Sequence, residues 1–267
     1  MIADTHNDYL TKGVSSTYLE DREEYLKFLC SPVWTSEIKE PLIKLKKTKE
    51  FLDSKKLATI LKLCIEDCWF LNENNLQEVL TFEPLYAGLT WNDTNSLAGG
   101  CFGNGGITEF GKKVVKLFES NKIIIDTAHL NRQSFFELAK ITSRPLFNSH
   151  TATNSLCETT RNLTDEQLKI FKDMQGFIGV YFVGDFLSNG KVTSETVANH
   201  IDYIVDKCGI DCVGFGTDFN GTDDLPEDVQ DYQDVENVLM NLKARGYDDI
   251  SLNKIRYNNF YNYLTKI

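Results

Sequence analysis

"IIIDTAHLNRQSFFELAKITSRPLFNSH", residues 123–150, opens on an apolar run ending in a histidine and closes on a second run that does the same. Ile123–His129 and Pro145–His150 have the content of buried strands. The spacing between His129 and His150 is about that of one short strand–helix unit. Such a unit puts two parallel strands side by side with both carboxyl ends, and so both histidines, at one rim.

The same alternation runs through the rest of the chain. Strand-like runs fall at Ile2–Asp8, Lys27–Trp34, Ala58–Glu66, Tyr86–Trp91, Phe177–Phe182 and Cys212–Phe219 as well. Between most of them the apolar residues recur at three and four, as in "TEFGKKVVKLFESN" and "SETVANHIDYIVDKC". "TDEQLKIFKDM" carries Thr164 and Gln167 at capping-box spacing. Helices near Asp234–Ala244 and Ser251–Tyr263 should close the chain. Eight strands alternating with helices predict an α/β fold, a closed (β/α)8 TIM-like barrel of the metallo-dependent hydrolase type, with residues 1–267 as a single domain. Lys27–Trp34 is the weakest strand pattern, because Pro32 belongs at a strand end or bulge. Residues 36–56 read as a Lys-rich, solvated surface helix. "AGGCFGNGG" lacks the Lys-Ser/Thr ending of a phosphate loop and the spacing of a dinucleotide fingerprint, so a flexible loop beside the site is expected.

Composition excludes several roles. The formal charge is −11, without a basic run, which argues against nucleic acid or an anionic membrane surface as partner. No apolar run is long enough to span a bilayer, and no charged-then-apolar leader precedes Ile2. The seven cysteines are odd in number and scattered, as expected of reduced, mostly buried thiols in a cytoplasmic protein.

The polar residues at the strand ends carry the chemistry. His6 and Asp8 share a strand face with Asp4. Other runs end in Glu66, His129, His150 and Asp218. Three of the four histidines lie at expected strand ends; the fourth, His200, sits in a helical pattern and reads as structural. Singly, each histidine is more often a hydrogen-bonded rim residue than a ligand. Together they offer three imidazoles and two carboxylates around one barrel mouth, a set that suits zinc or a related divalent metal. One tetrahedral zinc needs fewer. A bridging carboxylate uses all five, with His6 and Asp8 on one ion, His129 and His150 on the other, and Glu66 between.

The chain resembles the membrane (renal) dipeptidase family of zinc peptidases. The matching stretches are "DTHNDYL", "CIED", "GLTWND", "IIIDTAHL", "PLFNSHTA", "TTRNLTDEQL", "GFIGVYF", "HIDYIVDKCGIDCVGFGTDFNG" and, more weakly, "KIRYNNF", in the family's order. The resemblance implies the same five ligands, two zinc ions per chain, and a peptidase that cleaves dipeptides with a metal-bridging hydroxide. It places Arg161 on the substrate carboxylate, Asp218 as proton acceptor, and Trp91, Asn92 and Tyr181 at the substrate. It also implies a homodimer. Gly214 and Gly216 should leave room around Asp218, and Asp4 and Asp126 are candidates to orient the histidines, although Asp126 points away from His129 in the strand pattern.

Two departures stand out. Well-studied members have a histidine where "LTWN" places Trp91, and an indole cannot usefully transfer a proton. The usual glycine after the bridging glutamate is Asp67, expected to perturb the metal site or to face solvent. These departures keep open a different amidohydrolase substrate (an N-acyl amino acid, lactam or lactone) and a catalytically weakened metal-binding relative.

Overall fold

Eight parallel strands close in chain order: β1 (Ile2–Asp4), β2 (Leu26–Trp34), β3 (Ile60–Glu66), β4 (Tyr86–Gly88), β5 (Ile124–Asp126), β6 (Phe147–Thr151), β7 (Phe177–Val180) and β8 (Val213–Phe215). This computed structural model describes residues 1–13, 15 and 17–267. The helices are α1 (Tyr9–Lys12), α2 (Pro41–Ser54), α3 (Leu76–Leu80), α4 (Glu109–Ser120), α5 (Arg132–Ile141), α6 (Asp165–Asp173), α7 (Gly184–Leu187), α8 (Ser194–Cys208), α9 (Val235–Ala244), α10 (Asp249–Asn253) and α11 (Asn259–Leu264). Among the described residues, no helix is long and apolar enough to cross a membrane.

The barrel floor is sealed by aromatic packing. Phe28, Cys30, Cys64, Tyr86, Phe147 and Phe177 form one buried cluster with Phe260 and Tyr263 from α11. Phe177 lies 5.2 Å from Phe260 and 5.9 Å from Phe147, ring centre to ring centre. Aromatic pairs at such distances add to the stabilisation that burial itself brings. With one end plugged, the polar groups collect at the other.

All eight expected strands exist, and Pro32 sits within β2 opposite Cys64 of β3. β1 ends at Asp4, so the missing Pro32 N–H removes no bond from a ladder on that side. The strands stop earlier than the apolar runs suggest. β1 ends before His6, β4 before Trp91, β5 before His129 and β8 before Asp218. His129 (φ 64°), Asp218 (φ 63°) and Asn220 (φ 65°) lie in the left-handed region. Non-glycine residues pay a conformational cost there, and such strain gathers at functional sites.

The closing helix expected over Ser251–Tyr263 is divided by a π-helical turn at Lys254–Asn258. Just beyond it, the Asn259 amide donates to the Ile210 and Val213 carbonyls at 2.6 and 2.8 Å. The wider turn carries that side chain onto the barrel floor. The Gly-rich segment is close-packed rather than loose. An ideal Cβ on Gly100 would sit 2.4–2.5 Å from the carbonyl oxygens of Trp91, Asn92 and Asp93, so only glycine lets this segment back the Trp91 turn.

Candidate metal centre and active site

His6, Asp8, Glu66, His129, His150 and Asp218 converge at the open end of the barrel. Glu66, the last residue of β3, divides its two oxygens. Oε1 lies 2.9 Å from His129 Nε2 and 3.7 Å from His150 Nε2, while Oε2 lies 3.8 Å from His6 Nε2. His6 Nε2 is also 3.6 Å from Asp8 Oδ2 and 3.7 Å from Asp218 Oδ1. Three overlapping ligand groups result: His6–Asp8–Glu66, Glu66–His129–His150 and His6–His150–Asp218. Gly221 permits the approach of Asp8 and Asp218, since a Cβ there would lie 2.5 and 2.3 Å from their oxygens. Gly214 and Gly216 do not serve that end, contrary to expectation. A Cβ on Gly214 would meet the Phe177 ring, and one on Gly216 the Ser149 carbonyl.

The protons on the histidines follow from their neighbours. Tyr86 OH gives its hydrogen to the Thr5 carbonyl at 3.1 Å, so His6 Nδ1–H donates to Tyr86 at 3.0 Å. Ser149 Oγ donates to Asp126 Oδ2 at 2.5 Å and therefore accepts from His150 Nδ1–H at 2.7 Å. His129 Nδ1–H donates to Asn92 Oδ1 at 2.8 Å. All three Nε2 lone pairs then face inward. His129 Nε2 and His150 Nε2 stand 3.1 Å apart beside a carboxylate oxygen, and His6 Nε2 is buried without a hydrogen-bond partner. Electron-rich atoms this close need a proton or a cation among them. The nitrogen and oxygen donor set fits zinc or a similar divalent ion.

Without metal, the protons show the same demand. Burial opposes the charged form of His6, but Glu66, Asp8 and Asp218 outweigh it and push its pKa up to about 10. Burial, with Asp8 and Asp218, raises Glu66 to about 8 against the pull of His6 and Arg161. Burial lowers His129 and His150 well below the ordinary range, assisted by Arg161 and His6. These two remain neutral, as ligands must.

The orienting groups differ in part from expectation. Asp126 supports His150 through Ser149, and also accepts the Ser149 and Ala128 N–H groups. Asp4 touches no imidazole ring. Its carboxylate accepts from the His6 and Thr217 N–H groups and from the Thr217 and Tyr232 hydroxyls, clasping the ends of β1 and β8. Tyr86, missed in the sequence because it lies inside an apolar run, is the ring partner of His6. Asp126→Asn should weaken metal affinity about 10–100-fold, the usual effect of removing such a partner. Competition with a chromogenic chelator measures it, and unchanged affinity would refute the role.

Arg161 is 6% exposed and lines a cavity of about 270 Å³ with Asp8, Trp34, Glu66, Trp91, Asn92, His129, His150 and Asp218. Tyr181 does not line it. The Tyr181 hydroxyl is buried and committed to Asn162, and its ring lies 5.9 Å beside the Arg161 guanidinium. It therefore supports Arg161 instead of touching substrate. Asn92 does line the cavity, but its Oδ1 is taken by His129 and by Cys101. Asp67 neither reaches the metal ligands nor faces solvent: it is buried, with bonds to Ser36, Trp69 N–H and Asn95. Its φ of +68° explains why glycine suits the position. His200 is structural, accepting from Thr153 N–H and donating to the Leu187 carbonyl.

A closed parallel barrel with buried histidine–carboxylate clusters at its open end combines the fold of the metallo-dependent hydrolases with a candidate metal centre. The chain belongs to the family described as membrane dipeptidase, peptidase family M19, which its residues 71–267 match. That segment holds His129, His150, Arg161 and Asp218; His6, Asp8 and Glu66 precede it. A Klebsiella pneumoniae protein described as an "uncharacterized protein in pqqA 5'region" is 32% identical over 193 residues, covering 67% of this chain and 71% of its own length. The solved structure of a family M19 metallo peptidase, "dipeptidase AC", superposes with a TM-score of 0.87 at 21% identity, covering 99% of this chain and 98% of that one. A Rhodobacter sphaeroides metallo peptidase, liganded with a phosphinate mimic of the dipeptide L-Ala-D-Ala, gives 0.83 at 20% identity over 99% and 98%. At that identity the two structures establish the barrel.

Proposed function

We propose that this protein is a zinc-dependent dipeptidase with two ions per chain, His6 and Asp8 holding one, His129 and His150 the other, and Glu66 bridging. One observation supports the reading most strongly. Arg161 is buried, yet among the described residues it forms no ion pair; it lines the same cavity as His129, His150 and Glu66, and its one side-chain bond is a long one, 3.4 Å, from Nη2 to the His150 carbonyl. A buried guanidinium with spare donors calls for a carboxylate from outside. Family membership and the L-Ala-D-Ala mimic bound by the Rhodobacter relative agree with a dipeptide.

Bound metal would supply Lewis acidity and a water acidic enough to attack near neutral pH. The chain's own groups do the rest. Arg161 holds the free carboxylate one residue beyond the scissile bond, which excludes longer peptides. Asp218, raised to about 7 by burial together with Asp8 and Asp4 and against His6 and Arg161, accepts the proton of the attacking water and returns it to the leaving amine. Trp91 cannot share that task, so the proton traffic falls on Asp218 alone.

Protein purified without chelator should contain close to two zinc ions and hydrolyse a panel of L-L and L-D dipeptides in a chelator-sensitive way. Two ions without any cleavage would redirect the reading to another carboxylate-bearing amide or ester; no uptake of zinc would refute it. Metal binding should also release protons. Below pH 8 both His6 and Glu66 carry one in the metal-free protein, since their pKa values are about 10 and about 8. Apparent affinity should thus rise with pH through the neutral range as these protons are given up. Calorimetric zinc titrations in buffers of different ionisation enthalpy read this directly, and heats independent of buffer would contradict it.

A further inference from the structure

The cavity has two unlike walls. Arg161, Val183 and Phe186 follow β6 and β7 on one side; Trp34 at the end of β2 and Trp91 beyond β4 stand on another, with Glu66 of β3 between them, and Lys12 of α1 also lines the cavity. The two indoles lie 5.0 Å apart at 57°, and Trp91 lies 5.9 Å from the His129 ring. Both indoles are only partly buried, so they still present surface to the cavity.

One buried acid secures both. Asp67 Oδ2 accepts from Ser36 Oγ at 2.7 Å, two residues beyond Trp34, and its carbonyl accepts from Thr35 Oγ1 at 2.5 Å. Its Oδ1 accepts from Asn95 Nδ2 at 3.0 Å, four residues beyond Trp91. Behind the turn, Gly100 packs against the carbonyls of residues 91–93, and Phe102 N–H donates to the Asn92 carbonyl at 2.8 Å. The two loops that carry the tryptophans are thereby tied to each other through Asp67.

We propose that Trp34 and Trp91 form a subsite for a large apolar or aromatic side chain on the acyl side of the scissile bond, with Asp67 as its positioning residue. The proposal rests on the dipeptidase reading. A substrate whose carboxylate is held at Arg161 and whose scissile carbonyl lies over the histidine–glutamate cluster extends its acyl-side residue across the barrel mouth. In the strand order β2 lies opposite β6, and Trp34 at its end packs on Trp91. Their faces reward a flat side chain beyond plain burial.

The holoenzyme should cleave Phe-Gly and Trp-Gly with kcat/KM at least about tenfold above Ala-Gly, mainly through KM. Trp34→Leu and Trp91→Leu should each shrink that ratio several-fold. Asp67→Gly, tolerated by the positive φ, should shrink it too, with part of the preference restored in Asp67→Asn. A purely structural role for Asp67 would lower kcat on all substrates alike and leave the ratio unmoved. An independent readout is the indole fluorescence of wild type titrated with phenylacetylglycine, which carries both a carboxylate and an aromatic ring. A saturable change that Trp34→Leu abolishes supports the subsite even if no dipeptide is cleaved, an outcome that would sink only the dipeptidase reading. A preference for Ala-Gly, a ratio unaffected by the tryptophan substitutions, or no fluorescence response overturns the subsite.

Discussion

Glu66→Gln should lower kcat/KM by about a thousandfold and bring bound zinc below two ions per chain. Glutamine keeps the shape but has one acceptor oxygen and no charge, and the geometry here uses both oxygens, Oε1 toward His129 and His150 and Oε2 toward His6. If Glu66 bridges two ions as proposed, its loss removes several kcal/mol of stabilisation for the developing charge, equivalent to that factor in rate. Fold damage is separable from metal loss. In the metal-free protein, burial already pushes Glu66 up to about 8, so its charge is unwelcome there. A neutral isostere should leave the metal-free Tm unchanged or higher while abolishing most of the rise in Tm that zinc gives. Elemental analysis and paired melting curves make the comparison. A variant that keeps two ions and near-native activity would refute the bridging role.

The barrel was legible because its period is coarse. Eight apolar runs separated by helical patterns leave few topologies, and closure in chain order follows from the parallel connections. The candidate metal cluster was legible for a related reason: histidines are scarce in this chain, and three stand where apolar runs end. The polar second layer was not. Tyr86 reads as one more apolar strand residue until the fold brings it to His6, and Ser149 looks incidental until Asp126 and His150 close on it from both sides. These partners are distant in sequence and share no spacing. Strand alternation also misplaced Asp4, because the chain leaves the ladder after that residue and His6 and Asp8 no longer follow the pleat.

Asp67 shows a different limit. The unusual residue was visible, but its effect depends on where a positive φ sends the carboxylate. The backbone turn carries it away from the ligands and into the loops beyond β2 and β4. An extra acid beside a metal site thus becomes a fastener for the aromatic wall. Tyr181 makes the converse point: a polar tip in a matching motif is no substrate contact once its hydroxyl is spent on Asn162.

Arg161→Ala should cost on the order of 10²–10³ in kcat/KM for free dipeptides, chiefly through KM, because it strips one partner from a buried charge pair. The same substitution should have little effect on dipeptide amides, which offer no carboxylate. The wild-type preference for free acid over amide, of similar size, should therefore collapse. Arg161→Lys keeps the charge but loses the planar fork and its packing beside Tyr181, and should fall between. The pH profile supplies a second test with a definite sign. Arg161 helps hold the pKa of Asp218 down, so its removal raises that pKa and moves the acid limb of the kcat profile to higher pH. A substitution that weakened the fold alone would lower both substrates together and leave that limb in place. Equal loss on acid and amide, with an unshifted profile, would mean that this buried guanidinium serves the scaffold and that the carboxylate is held elsewhere.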